Sequence, residues 1–228
     1  MAEIMEEGMQ INGICIDSTV VGGVGTNCYI VRKEGSDRCV VIDPGDDGKQ
    51  LAGFIKDNGL VLEDILLTHG HFDHIMGVSD LMSELGGRLC VLEEEKELLE
   101  DAGLNVSAMA GAGPVSLFAD LFLKDGQDYE TAGMKFTVIH TPGHTRGSCC
   151  YYMKEEALLF SGDTLFLESI GRSDLPTGNG NTLLQSLREK VLTLPEEVKV
   201  FPGHGPATQI GYEKQNNPYA AGQPGFWG

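Results

Sequence analysis

Thr68-His69-Gly70-His71-Phe72-Asp73-His74 is the stretch on which the reading of this chain turns. Three imidazoles and one carboxylate follow directly on the apolar run Ile65-Leu66-Leu67. An apolar run this short reads as a buried strand, so the polar donors sit on the loop that leaves its end. Imidazole and carboxylate together suit zinc, iron or manganese. The plainer reading, a solvated loop that happens to be rich in histidine, weakens when the whole chain is counted. Only six histidines occur, and the other three are His140, His144 and His204, the last two each in a Pro-Gly-His turn.

Outward from this stretch the periodicity alternates between strand and helix. Residues 50–56 carry apolar side chains at helical spacing, and residues 75–85 predict a second helix closed by Gly86-Gly87. The helix at 50–56 and the strand at 65–67 make a β-α-β unit, and the donor loop that this strand delivers lies between a strand end and a helix start. Upstream, residues 11–16, 28–32 and 39–42 predict strands of a meander, punctuated by Gly22-Gly23-Val24-Gly25 and Glu34-Gly35-Ser36. No Lys-Ser/Thr follows those glycines, so they read as a turn rather than a phosphate loop. Asp43-Pro44-Gly45 ends a strand in turn chemistry, and Asp43 is also a candidate to orient a ligand histidine from outside the ligand shell.

Downstream, residues 90–92 predict a strand and residues 93–102 an acidic helix whose charges form a solvated face. Residues 103–131 show no period and are read as a loop bordering the substrate. Residues 136–140 alternate as a strand, residues 149–153 and 157–161 form a hairpin, residues 182–192 an amphipathic helix, and residues 198–201 the last strand. This order is that of a mixed α/β (α+β) chain with two sheets covered by helices. A length of 228 residues fits one domain, residues 1–228, with a loose Gly/Pro-rich tail from about residue 220.

Lys and Arg total 16 against 34 Asp and Glu, a formal charge of −18 that opposes nucleic acid and anionic membranes as partners. The cysteines at 15, 28, 39, 90, 149 and 150 form no C-x-x-C pair and read as reduced core thiols. Cys149 and Cys150 lie in an apolar strand with no evident base and are expected to pack rather than react. The acidic start Met-Ala-Glu-Ile-Met-Glu-Glu is unlike a signal peptide, and no apolar run approaches a membrane span. The expectation is a soluble, cytoplasmic protein.

His69-x-His71-x-Asp73-His74, followed by His144, Asp163 and His204, resembles the metallo-β-lactamase superfamily over nearly the whole chain. Ile42-Asp43-Pro44-Gly45, Thr141-Pro142-Gly143-His144-Thr145, Ser161-Gly162-Asp163-Thr164 and Pro202-Gly203-His204-Gly205-Pro206 resemble its glyoxalase II (hydroxyacylglutathione hydrolase) branch. The resemblance implies a four-layer αββα sandwich with its ligands on loops at one edge. It implies two divalent metal ions, zinc ahead of iron or manganese. His69, His71 and His144 hold one ion, Asp73, His74 and His204 the other, and Asp163 bridges both, with Asp73 and His74 at the catalytic centre. The nucleophile it implies is a hydroxide shared by the two ions. Outside that set, Asp163 would be a turn aspartate, and His140, on one face with Phe136 and Val138, is a packing or outer hydrogen-bonding residue.

Gly171-Arg172-Ser173-Asp174 resembles a stretch of short glyoxalase II-like proteins. Arg172, with Arg146 and Lys214, is the candidate cation set for an anionic thioester such as a glutathione ester. The plainer reading of Arg172 is a surface salt bridge. Only 24 residues follow His204, too few for the helical glutathione-binding domain of long glyoxalase II enzymes. Gly211 to Pro218 instead resembles the ending of the short ones. The expected activity is hydrolysis of a small thioester, a small-molecule substrate. Alternatives are a persulfide dioxygenase with one iron, a hydrolase of another ester or lactone, and a metal-stabilised binding module. A true β-lactamase is disfavoured by the lack of a signal peptide.

Overall fold

The computed structural model describes residues 6–111 and 113–220, so the expected tail lies outside the described residues from residue 221 onward. One sheet holds β1 (Glu6–Ile11), β2 (Ile14–Val21), β3 (Thr26–Lys33), β4 (Arg38–Ile42), β5 (Val61–Leu66), β6 (Arg88–Leu92) and β7 (Leu121–Leu123), in that spatial order. Its first four strands are an antiparallel meander. From β4 onward the neighbours are parallel, which requires crossovers. These are α1 (Gly48–Asp57), between β4 and β5, and α2 (Phe72–Ile75) with α3 (Val78–Leu85), between β5 and β6; α4 (Lys96–Glu100) follows β6.

The second sheet has β8 (Asp128–Thr131), β9 (Met134–His140), β10 (Cys149–Met153), β11 (Leu158–Gly162), β12 (Lys199–Pro202) and β13 (Thr208–Gln209), with spatial order β13-β12-β11-β10-β9-β8. The helices α5 (Gly180–Ser186) and α6 (Ile210–Asn216) belong to this half.

Strand alternation explains the layering. Val31, Val40, Ile42 and Leu66 face the gap between the sheets, where they meet Phe136, Val138, Tyr151 and Phe160. Their neighbours Ile30, Val41 and Ile65 point the other way, onto Leu51, Ile55, Val78 and Leu81 of α1 and α3. On the far side Cys150, Leu159 and Val200 pack against Leu187, Val191 and Ile210. Both sheets are therefore apolar on both faces, and the result is the αββα sandwich. Each fully buried Leu, Ile or Phe in these layers contributes about 1.5–3 kcal/mol.

Local differences from the expected elements have local causes. Residues 11–16 are not one strand: Asn12 and Gly13, both at positive φ, make the two-residue turn that joins β1 to β2. The helix expected over 75–85 is interrupted because the Gly77 amide donates to Pro44 O at 2.9 Å instead of continuing the helical ladder. The helix expected over 182–192 begins at Gly180 and passes into a π-helix, Leu187–Val191. Residues 198–201 do not end the sheet, since β13 pairs beyond β12. Among the described residues no helix is long and apolar enough to cross a membrane.

Candidate metal centre

Four loops bring the donors together, each leaving the C-terminal end of a strand. His69, His71, Asp73 and His74 follow β5, His144 follows β9, Asp163 follows β11 and His204 follows β12. The loops after β5 and β9 come from different sheets and are joined at their bases. Cys149 N donates to Thr68 O at 2.8 Å, and Tyr151 Oη donates to Leu67 O at 2.8 Å.

The donor atoms form overlapping groups, within each of which they lie no more than 4.8 Å apart: His69, His71 and His144; His69, His74 and Asp163; and Asp73, His74 and His204. His144 Nε2 stands 2.8 Å from His71 Nδ1 and 3.1 Å from His69 Nε2. Asp73 Oδ2 stands 3.2 Å from His204 Nε2. Asp163 reaches into both sets, with Oδ1 3.4 Å from His74 Nε2, and Oδ2 3.5 Å from His144 Nε2 and 3.6 Å from His204 Nε2. The Cβ of any residue other than glycine at 203 would lie 2.2 Å from Asp163 Oδ1. Gly203 is therefore what admits that carboxylate to the cluster.

The outward ring nitrogens of His69, His144 and His204 are hydrogen-bonded and that of His74 faces a carboxylate, which turns the inward ones to the cluster. His144 Nδ1 lies 2.7 Å from Arg172 O, His204 Nδ1 3.1 Å from Gly25 O, and His74 Nδ1 3.0 Å from Asp43 Oδ2. A ring that donates from Nδ1 presents a lone pair on Nε2, the state a metal ligand needs. Asp43 is itself fixed by Thr68, whose N–H and hydroxyl donate to it at 2.8 and 2.6 Å.

Electrostatics divide the cluster. Burial, reinforced by neighbouring rings, holds His69 well below the usual histidine range, takes His71 down to about 3 and lowers His144. For His74, burial pulls down but Asp43, Asp73 and Asp163 outweigh it and raise the ring. His204 is likewise raised by Asp73 and Asp163 against burial. Burial would raise Asp73 and Asp163, yet the rings around them hold both carboxyls down.

This arrangement fits divalent cations. His74 Nε2 and Asp163 Oδ1 are buried and have no hydrogen-bond partner, although both point into the cluster. Buried polar atoms left in this way are costly unless something pairs with them. Imidazole nitrogens and carboxylate oxygens with no thiolate among them form a borderline-hard set, suited to zinc, iron or manganese.

Two of the candidate cations near this cluster are already engaged. Arg172 binds Asp174 through two contacts, at 2.7 and 2.8 Å, and Arg146 binds Glu97 at 2.9 Å. Lys214 donates to Leu194 O at 3.0 Å. His140 does not enter the donor groups; its Nε2 lies 2.8 Å from Arg146 O, on the loop that carries His144. All six cysteines are free, and burial pushes Cys149 well up and Cys150 to about 11.

Sequence reasoning missed three contributors. Thr26 Oγ1 donates to Asp73 Oδ2 at 3.2 Å, and the Phe166 ring stands edge-on to His204 at 5.9 Å between centroids. The third, Glu95, corrects the expected acidic helix, which is a 3-10 turn, Glu93–Glu95, followed by α4. Glu95 is fully buried rather than solvated. Its register with the buried Leu98 and Leu99, three and four residues on, was the available signal.

Comparison with known proteins agrees with this geometry. The description "Metallo-beta-lactamase superfamily" matches residues 21–204. The chain belongs to the metallo-β-lactamase superfamily, as a metal-dependent hydrolase with a His/Asp site. It is similar to the probable metallo-hydrolase YqgX of Bacillus subtilis (strain 168), with 39% identity over 203 residues, covering 89% of this chain and 95% of that protein. It is also similar to the hydroxyacylglutathione hydrolase GloC of Haemophilus influenzae, with 32% identity over 195 residues, covering 85% and 92%. Among solved structures, the B3 metallo-beta-lactamase BLEG-1 matches with a TM-score of 0.86 at 39% identity, covering 91% of this chain and 100% of that one. TTHA1623 in a di-iron-bound form matches with a TM-score of 0.79 at 37% identity, covering 89% and 98%.

Proposed function

We propose that this chain hydrolyses a small thioester, preferably a 2-hydroxyacyl glutathione or a related thiol ester, using two divalent ions. The observation that carries this reading is Asp163, whose two oxygens reach His144 on one side and His74 and His204 on the other. His69, His71 and His144 would hold one ion, and Asp73, His74 and His204 the other, with Asp163 between them. Divalent ions bound there would supply Lewis acidity and bring the pKa of coordinated water from 15.7 to about 7.

The chain's own residues do the positioning. The neutral, buried trio of histidines offers lone pairs with little competition from protons. Asp43 holds the His74 ring and, through Thr68, the start of the donor loop. Arg172 O and Gly25 O hold the His144 and His204 rings. A thioester suits such a site because a thiolate leaves as the anion and asks for no general acid from the protein. The glyoxalase II-like motifs and the similarity to a hydroxyacylglutathione hydrolase support this substrate class over other esters.

Metal analysis of the purified protein, beside a panel of thioesters, esters, lactones and a β-lactam, tests the reading. The expected result is two ions per chain and thioester cleavage that consumes no oxygen. One iron per chain with oxygen uptake would overturn it, as would turnover of the β-lactam with none of the thioesters.

A further inference from the structure

Glu95 lies on neither strand end nor donor loop, yet all three of its described hydrogen bonds reach donor loops. Its Oε1 accepts the Gly70 N–H at 2.9 Å. Its Oε2 accepts the Thr145 hydroxyl at 2.9 Å and the Gly147 N–H at 2.8 Å. Gly70 lies between His69 and His71, and Thr145 directly follows His144. One carboxylate therefore spans the two loops, from different sheets, that carry His69 and His71 on one side and His144 on the other. The links to the carbonyls of Thr68 and Leu67 join the bases of these loops, whereas Glu95 joins the parts that carry the rings.

We propose that Glu95 is a positioning residue that sets His69 and His71 against His144 for metal binding. Two observations besides the hydrogen bonds support it. A Cβ at Gly147 would stand 2.3 Å from Glu95 N, so the His144 loop is seated directly on the Glu95 backbone. Thr145 is braced in turn, its N–H bonded to Ser148 Oγ at 3.0 Å and its hydroxyl 2.7 Å from the same atom. Each oxygen of Glu95 faces a backbone N–H that can only donate, Gly70 on Oε1 and Gly147 on Oε2, so both oxygens must accept. An amide cannot replace it: whichever way a glutamine is turned, its NH₂ faces either the Gly70 N–H or the Gly147 N–H. The burial of an unpaired donor then drives the loops apart.

This inference rests on the ligand assignment under Proposed function but not on the substrate, so it is tested on bound metal and not on turnover. The Glu95→Gln, Thr145→Val and Asp64→Asn variants are loaded with cobalt(II). Ions per chain are followed during titration with a chelator, ligand-field spectra are recorded, and the metal-free proteins are melted. Asp64 is the control, a buried carboxylate bound by Arg88 and Tyr129 rather than by donor loops.

Glu95→Gln is expected to hold one ion about 10–100-fold more weakly, with a changed spectrum for that ion only. Thr145→Val should weaken the same ion by less. Asp64→Asn should melt lower and retain both ions like the unaltered chain. Unaltered retention in Glu95→Gln overturns the proposal, as does equal loss of both ions in proportion to a lowered melting temperature. If Glu95→Gln does not fold, unaltered retention in Thr145→Val overturns it. A failed substrate panel would leave these outcomes untouched.

Discussion

The His69, His71 and His144 half of the centre is closed and carries no carboxylate of its own, whereas the Asp73, His74 and His204 half carries one and opens to solvent. His69, His71 and His144 are each nearly fully buried, but the His204 side chain is 23% exposed and that of Asp73 is 14% exposed. Burial keeps the first set neutral, while carboxylates keep His74 and His204 above the usual histidine range. A neutral, dry trio suits permanent occupancy and rigid placement. The other trio, open to solvent at His204 and Asp73, suits exchange and contact with substrate. Asp163 belongs to both halves, and this predicts where the comparison breaks.

The largest effect is expected from Asp163→Asn. An amide carries no full charge and offers one oxygen instead of two, so at most one half keeps an oxygen donor from this position. Ions per chain should fall clearly below two and turnover should fall with them, both read on the same preparation. A variant that kept two ions and full activity would reduce Asp163 to a turn residue and remove the dinuclear reading.

A smaller and more selective effect separates His144 from His140. His144→Gln removes a donor from the closed half and should cost one ion and most turnover. His140→Gln removes only the contact to Arg146 O, and an outer contact of this kind typically costs about 10–100-fold. Bound metal and thioester hydrolysis are measured on both under one set of conditions. If His140→Gln lost the ion while His144→Gln kept it, the closed half would have to be assigned afresh.

The contrast between these two histidines also shows what was legible in the chain. Histidines are few, and here they are concentrated in one loop and two Pro-Gly-His turns, so a metal cluster could be suspected from the residues, whereas the full ligand set with Asp163 and the sandwich followed only from the family resemblance. Glu95 could not be separated from Glu93 and Glu94 by charge, because a glutamate in an acidic run is the same residue whether it faces water or a loop. Only its helical register with Leu98 and Leu99 distinguishes it. Residues 103–131 lacked a period because side chains rather than a ladder hold part of them. Asn105 donates to Val115 O at 2.9 Å, and the Ser107 hydroxyl accepts the Val115 N–H at 2.8 Å. The Asn12-Gly13 turn was hidden inside a run of apolar residues that resembled a single strand.

The smallest effect is expected at the rim, where Arg172 was the candidate reader of substrate charge. Its guanidinium already holds Asp174 through two contacts, and the two side chains are 61% and 69% exposed. A substrate carboxylate must therefore compete with Asp174 in a solvent that screens both. Arg172→Ala should raise KM for an anionic thioester by only about two- to fivefold, with kcat unchanged, since a remote cation contributes alike to ground and transition states. Asp174→Ala should shift KM for the anionic substrate in the opposite direction, because it frees the guanidinium. Neutral thioesters should respond to neither change. A rise of tenfold or more confined to anionic substrates would make Arg172 a true charge reader despite its partner. An equal loss with neutral and anionic substrates would instead trace the effect to its backbone, because Arg172 O holds the His144 ring and a shift of that loop would disturb the closed half.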